Sequence, residues 1–146
     1  MKWIDMHCDT LSEIIRQRKE LKRNDLCADL ERLLQGGAGA QFFACFVNAA
    51  RYGLNTKDAD EKMIWDQAYR NVLSMIGRAK REQNERFEIA VEPEMIQRQL
   101  WEETDESEIL YGILTVEEGG VLNGRMERLG ELYDRGVRLM TLTWNY

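Results

Sequence analysis

Apolar residues in this chain follow two alternating rhythms. Short, nearly unbroken apolar runs are each followed by longer stretches in which apolar positions recur every three or four residues. Trp3-Ile4-Asp5-Met6 is the first run. Residues 11–35 then carry helical spacing in two pieces, with Leu30, Leu33 and Leu34 on one face of the second. Gln41 to Val47 is a continuous apolar run, the pattern of a parallel strand buried on both faces. The spacing next predicts a long helix over 57–83, with Met63, Ala68, Val72, Met75, Ile76 and Ala79 toward the core. Phe87 to Val91 reads as a third strand, and Pro93, the only proline, opens a helix through about Trp101. Ile109 to Val116 is a fourth strand, 125–135 a helix stopped by Gly136, and Val137 to Thr143 a fifth strand.

Strands alternating with helices predict an α/β fold of βαβ units, with right-handed crossovers and a parallel sheet. No linker, internal repeat or low-complexity stretch interrupts residues 1–146, which read as a single domain. Two architectures suit such a pattern, an open doubly wound sheet and a barrel. The glycines do not favour a nucleotide-binding version of the first. Gly36-Gly37-Ala38-Gly39-Ala40 precedes a strand, whereas a dinucleotide fingerprint follows one and opens a helix. It reads instead as a helix stop and tight turn. Glu117-Glu118-Gly119-Gly120 does follow a strand, but it sets two carboxylates where a phosphate would sit.

Composition narrows the picture. The 146 residues are 44% hydrophobic and 32% charged, as in an ordinary globular domain, and are long enough for a real core. A net charge of -6 argues against nucleic acid as a partner. No apolar run approaches the roughly 20 residues that span a bilayer, and the first residues lack the apolar core of a signal peptide. A membrane partner is therefore not expected, and a cytoplasmic location is. Cys8, Cys27 and Cys45 are odd in number and lack CxxC spacing, so they read as reduced thiols, Cys45 as a small buried hydrophobe.

The chemistry concentrates in Asp5-Met6-His7-Cys8-Asp9, which holds the only histidine. His7 and Asp9 are two apart, so on a strand both point to one face and converge on a divalent ion if one is present. Asp5 is expected on that face further back, and Cys8 on the opposite one, in packing. The other reading of His7 is a surface or satisfied core histidine. Glu117 and Glu118 follow an apolar strand directly, where buried carboxylates are costly unless a cation compensates. Strand alternation lets only one of them face a site. For Glu118 the plainer reading is an acid at the start of the next helix, complementing its dipole.

Three segments together, 5–10 (DMHCDT), 29–47 (DLERLLQGGAGAQFFACFV) and 113–146 (ILTVEEGG through TLTWNY), resemble the renal or membrane dipeptidase family of zinc metallopeptidases. The resemblance runs along essentially the whole chain. It implies a (β/α)8 TIM-type metal-hydrolase barrel, with two zinc ions at the C-terminal mouth and hydrolysis of dipeptides, a D-residue being tolerated on the C-terminal side. It assigns metal binding to His7, Asp9 and Glu117; Glu117 is preferred to Glu118 because it alone keeps the family spacing to Thr141-Leu142-Thr143. Many relatives have a histidine after that tripeptide, helping to hold the reacting carbonyl; here Trp144 and Asn145 follow.

A complete barrel takes about 250 residues, and the family's second metal position needs two later histidines. The expectation is thus about five strands of a barrel's N-terminal portion: a fragment, a truncated gene product or one half of a split enzyme. Its metal site would be partial and its activity absent or feeble. Strands 1 and 5 would have unpaired edges, so self-association or a complementing C-terminal half is expected. Two other readings stay open. One is a different metal-dependent barrel hydrolase, of phosphoesterase or deoxyribonuclease type. The other is a non-enzymatic α/β interaction domain.

Overall fold

A computed structural model describes residues 2–101 and 109–144, so Asn145 lies outside the described residues. The order is β1 (Trp3–Cys8), α1 (Thr10–Gln17), α2 (Leu30–Gln35), β2 (Ala38–Phe46), α3 (Glu61–Arg81), β3 (Phe87–Ile89), α4 (Pro93–Trp101), β4 (Leu110–Glu117), α5 (Glu127–Asp134) and β5 (Val137–Thr141). All strand pairings are parallel, as the alternating pattern predicts.

The strands do not lie in chain order. β1 pairs with β2 and β2 with β4, while β3 and β5 both pair with β4. β2 takes one edge of β4 from Tyr111 to Glu117. The other edge is divided: β3 covers Leu110 to Gly112 and β5 covers Leu114 to Glu117. β3 is therefore a three-residue strand and stops short of the expected Val91. β5 takes over where it ends.

Alternation along β2 and β4 divides their side chains between two faces. Phe43, Cys45, Leu110, Leu114 and Val116 join a core with Leu11 and Ile14 of α1, Val72 and Ile76 of α3, and Leu132 of α5. The opposite face carries Phe42, Ile113, Thr115 and Glu117. Its lower part is covered by α4, whose Met95 and Ile96 pack on Ala40, Ala90 and Ile113. The part near the C-terminal strand ends stays open, and Glu117 stands there.

Local chemistry sets several boundaries. Asp60 accepts from the Met63 N–H and starts α3 there, four residues later than the periodicity suggested. Met63 is 62% exposed, contrary to expectation, because the buried stripe begins one residue on, at Ile64. Asp29 caps α2 in the same way, accepting from the Arg32 N–H. The stretch 36–40 is only half a turn: Gly37 has φ +79 and closes it, and β2 already begins at Ala38. No helix among the described residues is long and apolar enough to cross a membrane.

Candidate metal centre

Three donors meet at the C-terminal ends of β1 and β4. His7 Nε2 lies 3.5 Å from Asp9 Oδ1 and 3.5 Å from Glu117 Oε2. One ligand atom from each residue falls within 4.8 Å of the others. This is the set of three residues that the sequence singled out.

Each donor is free for the site for a local reason. Pairing Asp5 with Gln41 and Cys8 with Phe43 leaves one extra residue in β1 between them, a bulge. Partners in a parallel ladder point to the same side, so Asp5 lies on the side of Gln41 and Phe43 together with Cys8. The expectation that Asp5 shares the His7 face is thus corrected: the inserted residue breaks the alternation between them. Its carboxylate instead accepts the His7 backbone N–H at 3.3 Å. Cys8 packs on the helix-side core as expected, and burial pushes its thiol up to about 11.

Asp9 occupies the N-cap of α1, but its side chain makes no capping bond. Its backbone carbonyl takes the Glu13 N–H and the Ser12 hydroxyl, leaving the carboxylate to face His7. Glu117 is the last residue of β4 and is mostly buried. Burial lifts its pKa above the usual carboxylate range; the Asp9 and Glu118 charges add to this, while His7 opposes it. Such crowding of carboxylates is what a bound cation relieves.

Glu118 turns away. It is 2% exposed and caps the short 3-10 turn Gly119–Leu122, its Oε1 accepting from the Gly120 N–H at 3.1 Å. The expectation that Glu118 starts the next helix and complements its dipole is thus corrected: it caps this short 3-10 turn instead, and α5 begins only at Glu127. Its φ of +105 is a strained value for a residue with a side chain. The two glycines that follow are sterically required. A Cβ on Gly119 would meet the Leu142 carbonyl oxygen at 2.6 Å, and one on Gly120 would meet the Trp65 ring at 2.5 Å.

Trp144, at the place after Thr141-Leu142-Thr143, donates its backbone N–H to Glu118 Oε2 at 3.3 Å. Its ring packs edge-on against Phe46 at 4.9 Å between centroids. Phe46 is the register partner of Glu117, so an aromatic wall stands beside the cluster. Sequence alone gave no sign of Phe46 in this role, since it reads simply as part of an apolar strand.

The donor set suits zinc. Donors of a tetrahedral ion with bonds near 2.1 Å lie about 3.4 Å apart, against the 3.5 Å found from His7 to each carboxylate. One imidazole and two carboxylates are borderline-to-hard ligands, within zinc's usual range. The side chains of His7 and Asp9 are about half exposed, so the cluster opens outward and leaves positions for further ligands.

Comparison with known proteins identifies the fold and the family. The chain superposes on a metallopeptidase from Rhodobacter sphaeroides, solved with a phosphinate mimic of the dipeptide L-Ala-D-Ala, with a TM-score of 0.75 at 21% identity, covering 99% of this chain and 46% of that one. For the dipeptidase AC, a metallopeptidase of family M19, the TM-score is 0.77 at 20% identity, covering 99% and 43%. For the probable dipeptidase PvdM from Pseudomonas aeruginosa it is 0.78 at 15% identity, covering 99% and 35%. The chain thus spans less than half the length of each of these structures. At these identities the likeness establishes the fold, that of the N-terminal part of TIM-barrel dipeptidases. No curated protein sequence matches. The family described as membrane dipeptidase (peptidase family M19) matches residues 1–146, and the chain belongs to that family.

Proposed function

We propose that this chain supplies the N-terminal share of a zinc-dependent dipeptidase site, with His7, Asp9 and Glu117 as metal ligands. The observation that carries the reading is the convergence of one atom from each residue within 4.8 Å at the C-terminal strand ends. Family membership and the solved relatives, two of them described as dipeptidases, support dipeptides as substrates. When bound, divalent cations make water acidic enough to attack near neutral pH and polarise the scissile carbonyl.

The chain's own residues have separate tasks. His7 and Asp9 fix one side of the site from the end of β1. Glu117 contributes the most buried carboxylate and faces both of them. Phe46 and Trp144 form an aromatic pair on the Glu117 side.

We further propose that the chain works as part of a larger barrel. Among the described residues β1 and β5 each pair with one strand, and Leu139 and Leu142 of the β5 segment are exposed. These features support pairing with a complementing half or with a second copy. Three free cysteines support a cytoplasmic setting.

The test is zinc titration of the wild-type chain and of a His7→Ala, Glu117→Gln double variant, together with hydrolysis of L-Ala-D-Ala by the chain with and without zinc. Zinc uptake by the wild type alone supports the reading. Equal uptake by both, or none by either, refutes it.

A further inference from the structure

Glu118 has no place in the metal-ligand set, yet it is the most constrained acid near it. Its carboxylate is almost fully buried, and no cationic side chain lies within salt-bridge range among the described residues. Two backbone N–H groups hold it instead, from Gly120 at 3.1 Å and from Trp144 at 3.3 Å. Charge-assisted bonds of this kind are the strong class of hydrogen bond. The backbone is held at φ +105, a conformation that glycine adopts freely and glutamate does not. A glycine here would close the turn more easily, so the side chain has a task that the turn alone does not explain.

That task follows from what the two oxygens join. Gly120 belongs to the segment leaving β4, and Trp144 to the segment leaving β5. The close approach of Gly119 to the Leu142 backbone shows how tightly these segments are pressed together. One residue before Glu118 is Glu117, and the Trp144 ring packs on Phe46, the register partner of Glu117.

We infer that Glu118 is a positioning residue of the cluster: its buried carboxylate ties the exit of β5 to the exit of β4 and so sets how Glu117 faces the cation. The inference rests on the metal reading above. Outer groups that orient metal ligands change metal affinity without touching the ion.

The experiment compares the wild-type chain with Glu118→Gly and Glu118→Gln. Amide hydrogen exchange at Trp144 is measured on the zinc-free chains, and zinc affinity by calorimetry. Glycine accepts the backbone conformation, so Glu118→Gly folds, and loss of the tie is read directly. Its Trp144 amide is expected to exchange faster and its zinc affinity to fall about 10- to 100-fold. Glu118→Gln keeps one acceptor oxygen and falls between the two. Unchanged exchange at Trp144, or faster exchange with zinc affinities equal to wild type, overturns the inference while leaving the metal reading intact. A wild-type chain that binds no zinc overturns both.

Discussion

His7 Nε2 and Glu117 Oε2 stand 3.5 Å apart although a whole strand, β2, lies between the strands that carry them. In a flat sheet, backbones two strands apart are about 9.6 Å from each other. Side chains from β1 and β4 reach toward each other across β2 at the C-terminal strand ends and close that gap. The site is therefore a product of strand order as well as of sequence.

Removing either end of this pair should remove zinc. His7→Ala and Glu117→Gln are each expected to lower zinc affinity by at least about 100-fold, as loss of one of three ligands does. Neither should cost much stability in the zinc-free chain. His7 is about half exposed, and Gln at position 117 eases the crowding of carboxylates that raises the pKa of the glutamate. Calorimetric titration beside thermal melts checks both halves; a large loss of melting temperature in either variant would contradict it.

Alanine at the glycine pair should act unequally. The Cβ of Gly119→Ala meets backbone, the Leu142 carbonyl, whereas that of Gly120→Ala meets a ring with some freedom to shift. Overpacking costs about 1–3 kcal/mol, with Gly119→Ala expected at the upper end and Gly120→Ala at the lower. Urea unfolding of the two variants would reveal the order, and the reverse order would contradict it.

Asp29 gives a pH-dependent stability. Burial alone would raise its pKa, but the Arg32 N–H and guanidinium, with the Asn24 N–H, more than offset this and hold it below the ordinary aspartate value. A carboxylate depressed in the folded state adds stability above its unfolded pKa of about 3.9, and that contribution is lost as the pH falls through the folded value. Asparagine caps a helix as well as aspartate, so Asp29→Asn loses only the charge that faces Arg32. It should be less stable than wild type at pH 7 by about 1 kcal/mol, the difference between a charged and a neutral hydrogen bond, and the gap should close in acid. Melts across the acid range test this; a gap that widens on acidification would rule it out.

Association should depend on the β5 edge. Leu142 is 77% exposed and Leu139 43% exposed, in or beside a strand that has one partner among the described residues. Burying one leucine contributes about 1.5–3 kcal/mol, and 1.4 kcal/mol is a tenfold change in dissociation constant. Leu139→Lys with Leu142→Lys should therefore weaken self-association by well over tenfold. Sedimentation of wild type and variant decides it; a wild-type chain that stays monomeric at all concentrations would refute association through this edge.

Much of this architecture was legible because burial leaves a periodic trace. The run through Phe43 and Cys45 is the central buried strand, and the stripe from Ala68 to Ala79 is the buried face of α3. His7, Asp9 and Glu117 lie together, although Asp9 does so from the N-cap of α1 rather than from the His7 face of β1. What stayed hidden depends on contacts between distant segments. The bulge that turns Asp5 away from His7 arises from pairing with β2 and leaves no local signature. The sharing of one β4 edge by β3 and β5 is a matter of strand order, which alternation does not encode. The positive φ of Glu118 occurs where its segment meets Leu142 and Trp144, well over a dozen residues downstream.

The three donors are anchored with very different firmness. β4 is gripped along both edges and its Leu114 and Val116 are wholly buried, so it belongs to the part of the molecule that opens last. β1 is a margin strand with Trp3, Ile4 and Met6 in contact with water. An ion grasped by His7, Asp9 and Glu117 would fasten the loosest margin of the molecule to its sturdiest rib. On that footing a bound cation would be a clasp for the amino-terminal strand as well as a reagent.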